Sequence, residues 1–357
     1  MRNTIRISAA LVLPLLISSC GGDRSNDPLT VSSGSIQKVI TEFTDQSLIP
    51  VIQDFNQQAA TLNTEAQAFC STNTDSATLT ALQTQWQVTT AAWYKVLPFK
   101  FGPMDDNLLD PRYRYIDYFR ERGRDRSDAV RTKISAFIAG SSEFSAEFSL
   151  AYEVGLMPLE LALFENNATQ STANNDILSE YTANNRKCTV LTGLTSRLAA
   201  DANYLLQGWQ NSYLSSDTSY RDLFTGNQLS DGSQAIDTLL VSVQEYLDYL
   251  PKRDVISAAS LIADNGWDNA RSSIDMITQM LQGKDNTELS IFGLMNASGY
   301  DVAANNIKGT LIQARLHLNQ QDAVSFYADS ATLDGYFKRD IPDALKIQLG
   351  INFTDGD

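Results

Sequence analysis

The chain has 357 residues, 43% of them hydrophobic, with 15 Phe, 14 Tyr and 4 Trp, enough for one large core or two ordinary ones. Its formal net charge is -15, and removal of a leader carrying Arg2 and Arg6 would make it more acidic still, which argues against general affinity for nucleic acid or anionic lipid. A single histidine, His317, excludes any site built on two, and there is no G-x-S-x-G elbow, P-loop, G-x-G-x-x-G or C-x-x-C.

Arg2 and Arg6 precede the apolar run 9–17, which is too short to span a bilayer and has the layout of a secretory signal. It ends Ile17-Ser18-Ser19-Cys20-Gly21, small residues before a Cys, as in a bacterial lipobox. Cys20 is the expected lipidation site, so the membrane partner is reached through a lipid anchor. The alternative is ordinary cleavage with a free thiol. Gly21 is not the Asp that retains lipoproteins at the inner membrane, which favours the outer membrane of the bacterial cell envelope. Residues 21–34 are rich in Gly, Ser and Asp and read as a flexible tether. In an oxidising compartment the remaining Cys70 and Cys188 read as one disulfide, or else as two separate buried thiols.

Ile36, Val39, Ile40 and Phe43 open a helical pattern that Pro50 interrupts and that resumes through Phe55 and Leu62 to Cys70. Ser76 is the expected N-cap of a helix marked by Leu79, Leu82, Trp86, Trp93 and Val96. Residues 97–103 form a loop with two prolines, a glycine and packed aromatics, followed by Asp105, Asp106 and Asp110. Arg112 to Arg126 is the one basic cluster. It reads as an anion contact or, interleaved with Glu121, Asp125 and Asp128, as a solvated turn. Ser127 caps a helix ending at Gly140, and a further helix starts near Ser145 and runs through Glu160. A long helix is expected from Leu178 to Trp209, then a polar loop at 217–233. Four apolar stripes follow, around 236–250, 274–281, 302–318 and 333–349, and His317 on the third reads as structural or surface-exposed. No period-two alternation is sustained, so no sheet is expected. The reading is all-α: two packed four-helix-bundle-like domains, 35–220 and 221–357, after the signal peptide 1–20 and the tether 21–34.

The stretch Gly155-Leu156-Met157-Pro158-Leu159-Glu160-Leu161-Ala162-Leu163-Phe164 sets one carboxylate inside an apolar run. Burying it is costly unless it is paired, hydrogen-bonded or bound to a metal. It is either a half-buried site on a broken helix or a rim carboxylate on a kinked core helix.

In order along the chain, Val39-Ile40 to Cys70, Trp86 and Trp93 leading to Phe101-Gly102-Pro103, Gly155 to Phe164, Arg186-Lys187-Cys188 and the ending 349–357 make the sequence resemble the imelysin-like proteins, also listed as peptidase family M75. The resemblance covers essentially all of the chain after the tether. It implies two helical bundles, an extracytoplasmic location, frequent lipid anchoring, a link to iron uptake, and in some members a metallopeptidase activity. The family signature is G-x-H-x-x-E. Gly155 and Glu160 occupy its ends, but Met157 stands at the His position, and Met is a soft, neutral donor poorly suited to Fe(III) or catalytic zinc.

The expected function is therefore a binding component, in iron uptake by that resemblance, with its ligand site near Glu160 at the domain interface. Its lining would comprise Gly155, Met157, Glu160, Arg112, Arg114, Tyr115, Asp117, Trp93, Phe101 and Gly102. Partners would be a small ligand or an iron-uptake protein, with no nucleic acid. Any cofactor would be iron or another metal cation, with Glu160 as its ligand. The alternatives are a non-enzymatic adaptor for a surface complex and, behind it, a metallopeptidase drawing ligands from Asp105, Asp106, Asp117 or Glu153.

Overall fold

The structure, a computed structural model, describes residues 31–349 except 72–73, 108, 119, 122–123, 215 and 285–288. The signal segment, Cys20, most of the tether and the ending 350–357 lie outside the described residues.

The chain is all-α. Its helices are α1 (Ser33–Phe43), α2 (Ile49–Ser71), α3 (Ser76–Val96), α4 (Ser127–Ala139), α5 (Phe144–Glu147), α6 (Leu156–Phe164), α7 (Asn174–Ala183), α8 (Asn185–Gln210), α9 (Tyr220–Thr225), α10 (Ala235–Lys252), α11 (Val255–Ala258), α12 (Gly266–Gln282), α13 (Ile291–Ala297), α14 (Asp301–Gln320), α15 (Ala323–Lys338) and α16 (Asp340–Leu345). Among the described residues the strands are β1 (Arg120–Glu121) and β2 (Arg124–Asp125), an antiparallel pair two residues long. No described helix is long and apolar enough to cross a membrane.

Several boundaries differ from the periodicity, each for a local reason. The first helix is not broken at Pro50. A π-helical turn, Thr44–Leu48, joins α1 to α2, and Pro50 sits in the first turn of α2, where a missing N–H costs least. The cap of α3 is Asp75, whose carboxylate accepts from Thr78 N at 2.9 Å while Thr78 Oγ1 accepts from Asp75 N. Ser127 is the first residue of α4 rather than its cap, and its N donates to Asp125 Oδ1 at 2.8 Å. The long helix expected from Leu178 is two, because Asn184 turns extended and caps α8 by accepting from Arg186 N. The last stripe divides at Arg339 into α15 and α16.

α2 packs between α3 and α8, and α6 covers α3 and α8 with α4 and α7 around it. α10, α12, α14 and α15 form a second group, which α3 meets through α12. α1 leans on α9, α10 and α13. The buried apolar side chains make one continuous cluster across both groups. Trp86, Trp93, Trp209, Phe55, Phe69 and Tyr246 are among its largest members, and each side chain of this kind buries roughly 150–250 Å².

The Arg186-Lys187-Cys188 stretch is structural. Arg186 Nε donates to Phe137 O at 2.7 Å with its guanidinium 4.0 Å from the Phe137 ring, and the fully buried Lys187 pairs with Glu180 and donates to Glu165 O. Cys188 is bonded to Cys70, with Cα atoms 5.6 Å apart, which ties the end of α2 to α8.

Candidate functional site at the junction of the two helix groups

The Glu160 helix is shorter than the periodicity suggests. The segment from Ser145 is α5, a 3₁₀ turn at Ala151–Glu153, and then α6. Gly155 makes the break. Its φ is +86°, and a Cβ there would lie 2.3 Å from Ile116 O and 2.7 Å from Tyr115 O, so only glycine lets α6 start against that backbone. Leu156 N donates to Ile116 O at 2.8 Å, and Trp86 Nε1 donates to Leu156 O at 3.1 Å. Met157 is buried in the core.

Glu160 is fully buried. Its Oε1 accepts from Ile262 N at 2.7 Å and Ala263 N at 2.8 Å, and its Oε2 has no partner. Burial raises its pKa, opposed by the amides of Ala263, Ile262 and Leu261 and by Arg131. Gln87 Nε2 adds a bond to Ala263 O, and Asn265 Nδ2 donates to Gln87 O. The carboxylate thus fastens α6 to the turn between α11 and α12.

A second buried carboxylate lies at the same junction. Asp117 Oδ2 accepts from Trp93 Nε1 at 3.1 Å. Burial pushes its carboxyl up to about 6 against the Trp93 indole and the Tyr94 hydroxyl. Among the described residues no cation pairs with it. Its field in turn raises the phenols of Tyr94, Tyr246 and Tyr249, after burial itself. Tyr246 OH donates to Ser273 Oγ, and Ser273 Oγ to Tyr94 O, each at 2.6 Å, so α3, α10 and α12 hold these rings together. Towards the surface the Lys100 ammonium lies 5.1 Å from the Tyr113 ring centroid and 5.4 Å from that of Tyr249. Burial lowers the Lys100 pKa while Glu245 and Asp105 favour its charged form, with Arg253 and Arg114 nearby. Both halves of the chain therefore contribute to one aromatic and charged neighbourhood above Asp117.

The other residues expected to line a common site are used elsewhere. Arg112 Nη1 donates to Asp201 Oδ1 at 3.0 Å and lies over the Tyr204 ring. Arg114 is the exception: it lies over Tyr118 but also hydrogen-bonds Tyr113 beside Lys100. Tyr115 OH donates to Asp110 Oδ2 at 2.5 Å with Arg197 over its ring. Phe101 joins Trp209, Tyr220 and Phe224 in an aromatic cluster, and a Cβ on Gly102 (φ +61°) would lie 2.5 Å from the Tyr220 ring. Of the expected set, Trp93 with Asp117, Gly155 with Glu160, and Arg114 beside Tyr113 and Lys100 sit at the junction. Tyr94, Lys100, Glu245, Tyr246, Tyr249 and the 261–263 turn were not expected there. The one signal was Lys100 itself, a lone cation between two phenylalanines. His317 faces Asp329, with Nδ1 2.7 Å from Oδ2, on the outer α14–α15 pair.

The metal centre implied by the sequence resemblance does not fit these residues. Glu160 spends Oε1 on two backbone amides, Met157 replaces the histidine, and among the described residues no group of three or more His, Cys, Asp and Glu is placed to hold an ion.

Residues 48–343 match the family model described as Imelysin (Peptidase_M75). Among curated proteins none matches the chain. The fold is that of the crystal structure of an imelysin-like protein from Psychrobacter arcticum 273-4, with TM-score 0.69 and 18% identity over 90% of this chain and 99% of that one. A protein from Parabacteroides distasonis ATCC 8503, provisionally named an iron-regulated protein A precursor, superposes with TM-score 0.68 at 15% identity, over 88% of this chain and 96% of the other.

Proposed function

The chain belongs to the imelysin family, and from that premise we propose that it is a non-enzymatic binding component of the bacterial cell envelope, lipid-anchored through Cys20 and working in an iron-linked uptake system. Its site is the junction above Asp117, and its ligand carries a cationic or strongly hydrogen-bond-donating group. Asp117 carries this reading. A carboxylate held in apolar and phenolic surroundings with no cation beside it costs folding free energy, and such a cost is retained where a ligand supplies the missing charge. Lys100, Tyr113 and Tyr249, which are only partly buried, would be the first residues a ligand meets on approaching it. The iron link rests on the Parabacteroides relative's name and on the family, and does not require a bare ion at Glu160. Water activation would need a ligand set that the Met157 and Glu160 pair does not supply. The adaptor reading draws on the tight packing of the same junction, where Trp93, Tyr94 and Tyr246 are buried.

The test is native mass spectrometry and elemental analysis of protein purified from its producing cells, for wild type and Asp117→Asn. A retained small ligand that is lost in Asp117→Asn is expected. Wild type and variant that behave alike would refute the site. A resident metal lost in Glu160→Gln would refute the reassignment of Glu160.

A further inference from the structure

Among the described residues, five of the large apolar side chains left exposed lie on α14 or next to its ends in the chain: Tyr300, Val302, Ile312, Leu316 and Val324. α14 is amphipathic twice over. Its inner row, Ala304, Ile307, Leu311, Ala314 and Leu318, is buried. Its outer row, Val302, Asn305, Gly309, Ile312 and Leu316, is exposed and recurs at alternating spacings of three and four, the period of a helix-pairing seam. Val302 is 68% and Ile312 65% exposed. A Cβ on Gly309 would meet nothing within 4 Å, so the middle of the seam is open to close approach by another backbone.

We propose that this seam pairs antiparallel with the same seam of a second copy of the chain, about a two-fold axis through Gly309. About that residue the row maps onto itself at Val302, Gly309 and Leu316. Val302 and Leu316 lie equally far before and after it, so each meets the other across the axis, and Asn305 likewise meets Gln313. Ile312 falls opposite Asn306, and the two seams cross over about 21 Å of helix. The flank adds charge. Asp301 and Arg315 project from the same side of α14, and antiparallel pairing brings the Asp301 of each copy alongside the Arg315 of the other. Arg315 is engaged with Asp275 and keeps more than half of its side chain exposed, so its remaining N–H groups can donate to a second carboxylate. At the ends, Val324 of one copy comes over the Tyr300 region of the other. The interspersed amides of Asn305, Asn306 and Gln313 suit a wet helix pair and would be costly in lipid. A single seam is smaller than the roughly 800 Å² per partner of a standard interface, so the dimer is weak and concentration-dependent.

Sedimentation velocity of the purified protein over a concentration series tests this, with Ile312→Glu as the disrupting variant and Gly309→Cys as the geometric one. Wild type should move from monomer to dimer as concentration rises, and Ile312→Glu should weaken the association at least tenfold. Gly309→Cys should form a disulfide-linked dimer under mild oxidation faster than Gln57→Cys on the distant, exposed face of α2. Circular dichroism checks that each variant is folded. A wild type that stays monomeric, a dimer indifferent to Ile312→Glu, or equal cross-linking at 309 and 57 would each overturn the proposal. Binding of wild type to neutral liposomes lost in Ile312→Glu would overturn it in favour of a lipid occupant.

Discussion

Replacing Glu160 separates a fastening role from any role in ligand binding. In Glu160→Ala the amides of Ile262 and Ala263 lose their acceptor inside the protein. A buried donor left unpaired costs about 1–3 kcal/mol, so two cost about 2–6 kcal/mol. Removing a carboxylate whose charged form burial disfavours returns part of that. A net loss of about 3 kcal/mol is expected. Glu160→Gln keeps the Oε1 acceptor but sets an amide with two buried donors where, among the described residues, Oε2 has no partner, so its stability should fall between those of wild type and the Ala variant. Urea denaturation followed by far-UV circular dichroism measures both values. Hydrogen exchange at the Ile262 and Ala263 amides, faster in the Ala variant alone, locates the effect. An Ala variant within 1 kcal/mol of wild type, or a Gln variant as unstable as the Ala variant, would refute the reasoning.

Asp117 makes stability fall with rising pH. Its folded pKa of about 6 lies above the ordinary 3.8, so its favourable contribution is complete below 3.8 and is lost as pH rises through about 6. The shift corresponds to at most about 3 kcal/mol, and Asp117→Asn should be more stable than wild type at pH 7.5 and equal at pH 4, by urea titration at both pH values. Replacing Cys70 and Cys188 together by Ser removes a cross-link spanning 118 residues and should cost about 4–5 kcal/mol in the chain-entropy account, read from the midpoint of urea unfolding under non-reducing conditions. Gly155→Ala drives a methyl into Ile116 O at a positive φ and should lower stability by at least about 2 kcal/mol, seen as a fall in Tm, while Gly309→Ala should be neutral or stabilising.

The helices are legible because their apolar positions recur at three and four, and the core residues Leu79, Leu82, Trp86 and Trp93 lie where that period places them. The breaks at Gly155, Asn184 and Arg339 are less legible. The first depends on a close backbone approach and the second on a cap that only the packed chain defines, and at Arg339 the backbone turns with no side-chain cap. At the junction, Trp93 and Asp117 stand out by type, whereas Tyr246 lies among the apolar residues of a stripe that reads as ordinary core. The partners of Glu160 could not be read at all. They are backbone amides of residues 261–263, and an amide has no side-chain signature.

The packing of α1 bears on how the chain acquires its structure. α1 rests on α10 and α13, which are synthesised roughly two hundred residues later. At about 5–20 residues per second, that segment emerges tens of seconds before its partners exist. Val39, Ile40 and Phe43 therefore lack their α10 and α13 cover until then, while the α2–α8 contact is already available and its cross-link closes once the chain reaches an oxidising compartment. Assembly is expected in two stages, a fast one around α2, α3 and α8 and a slower return of the first helix to the far group. A nascent chain stalled before α10 would be the species most prone to aggregation.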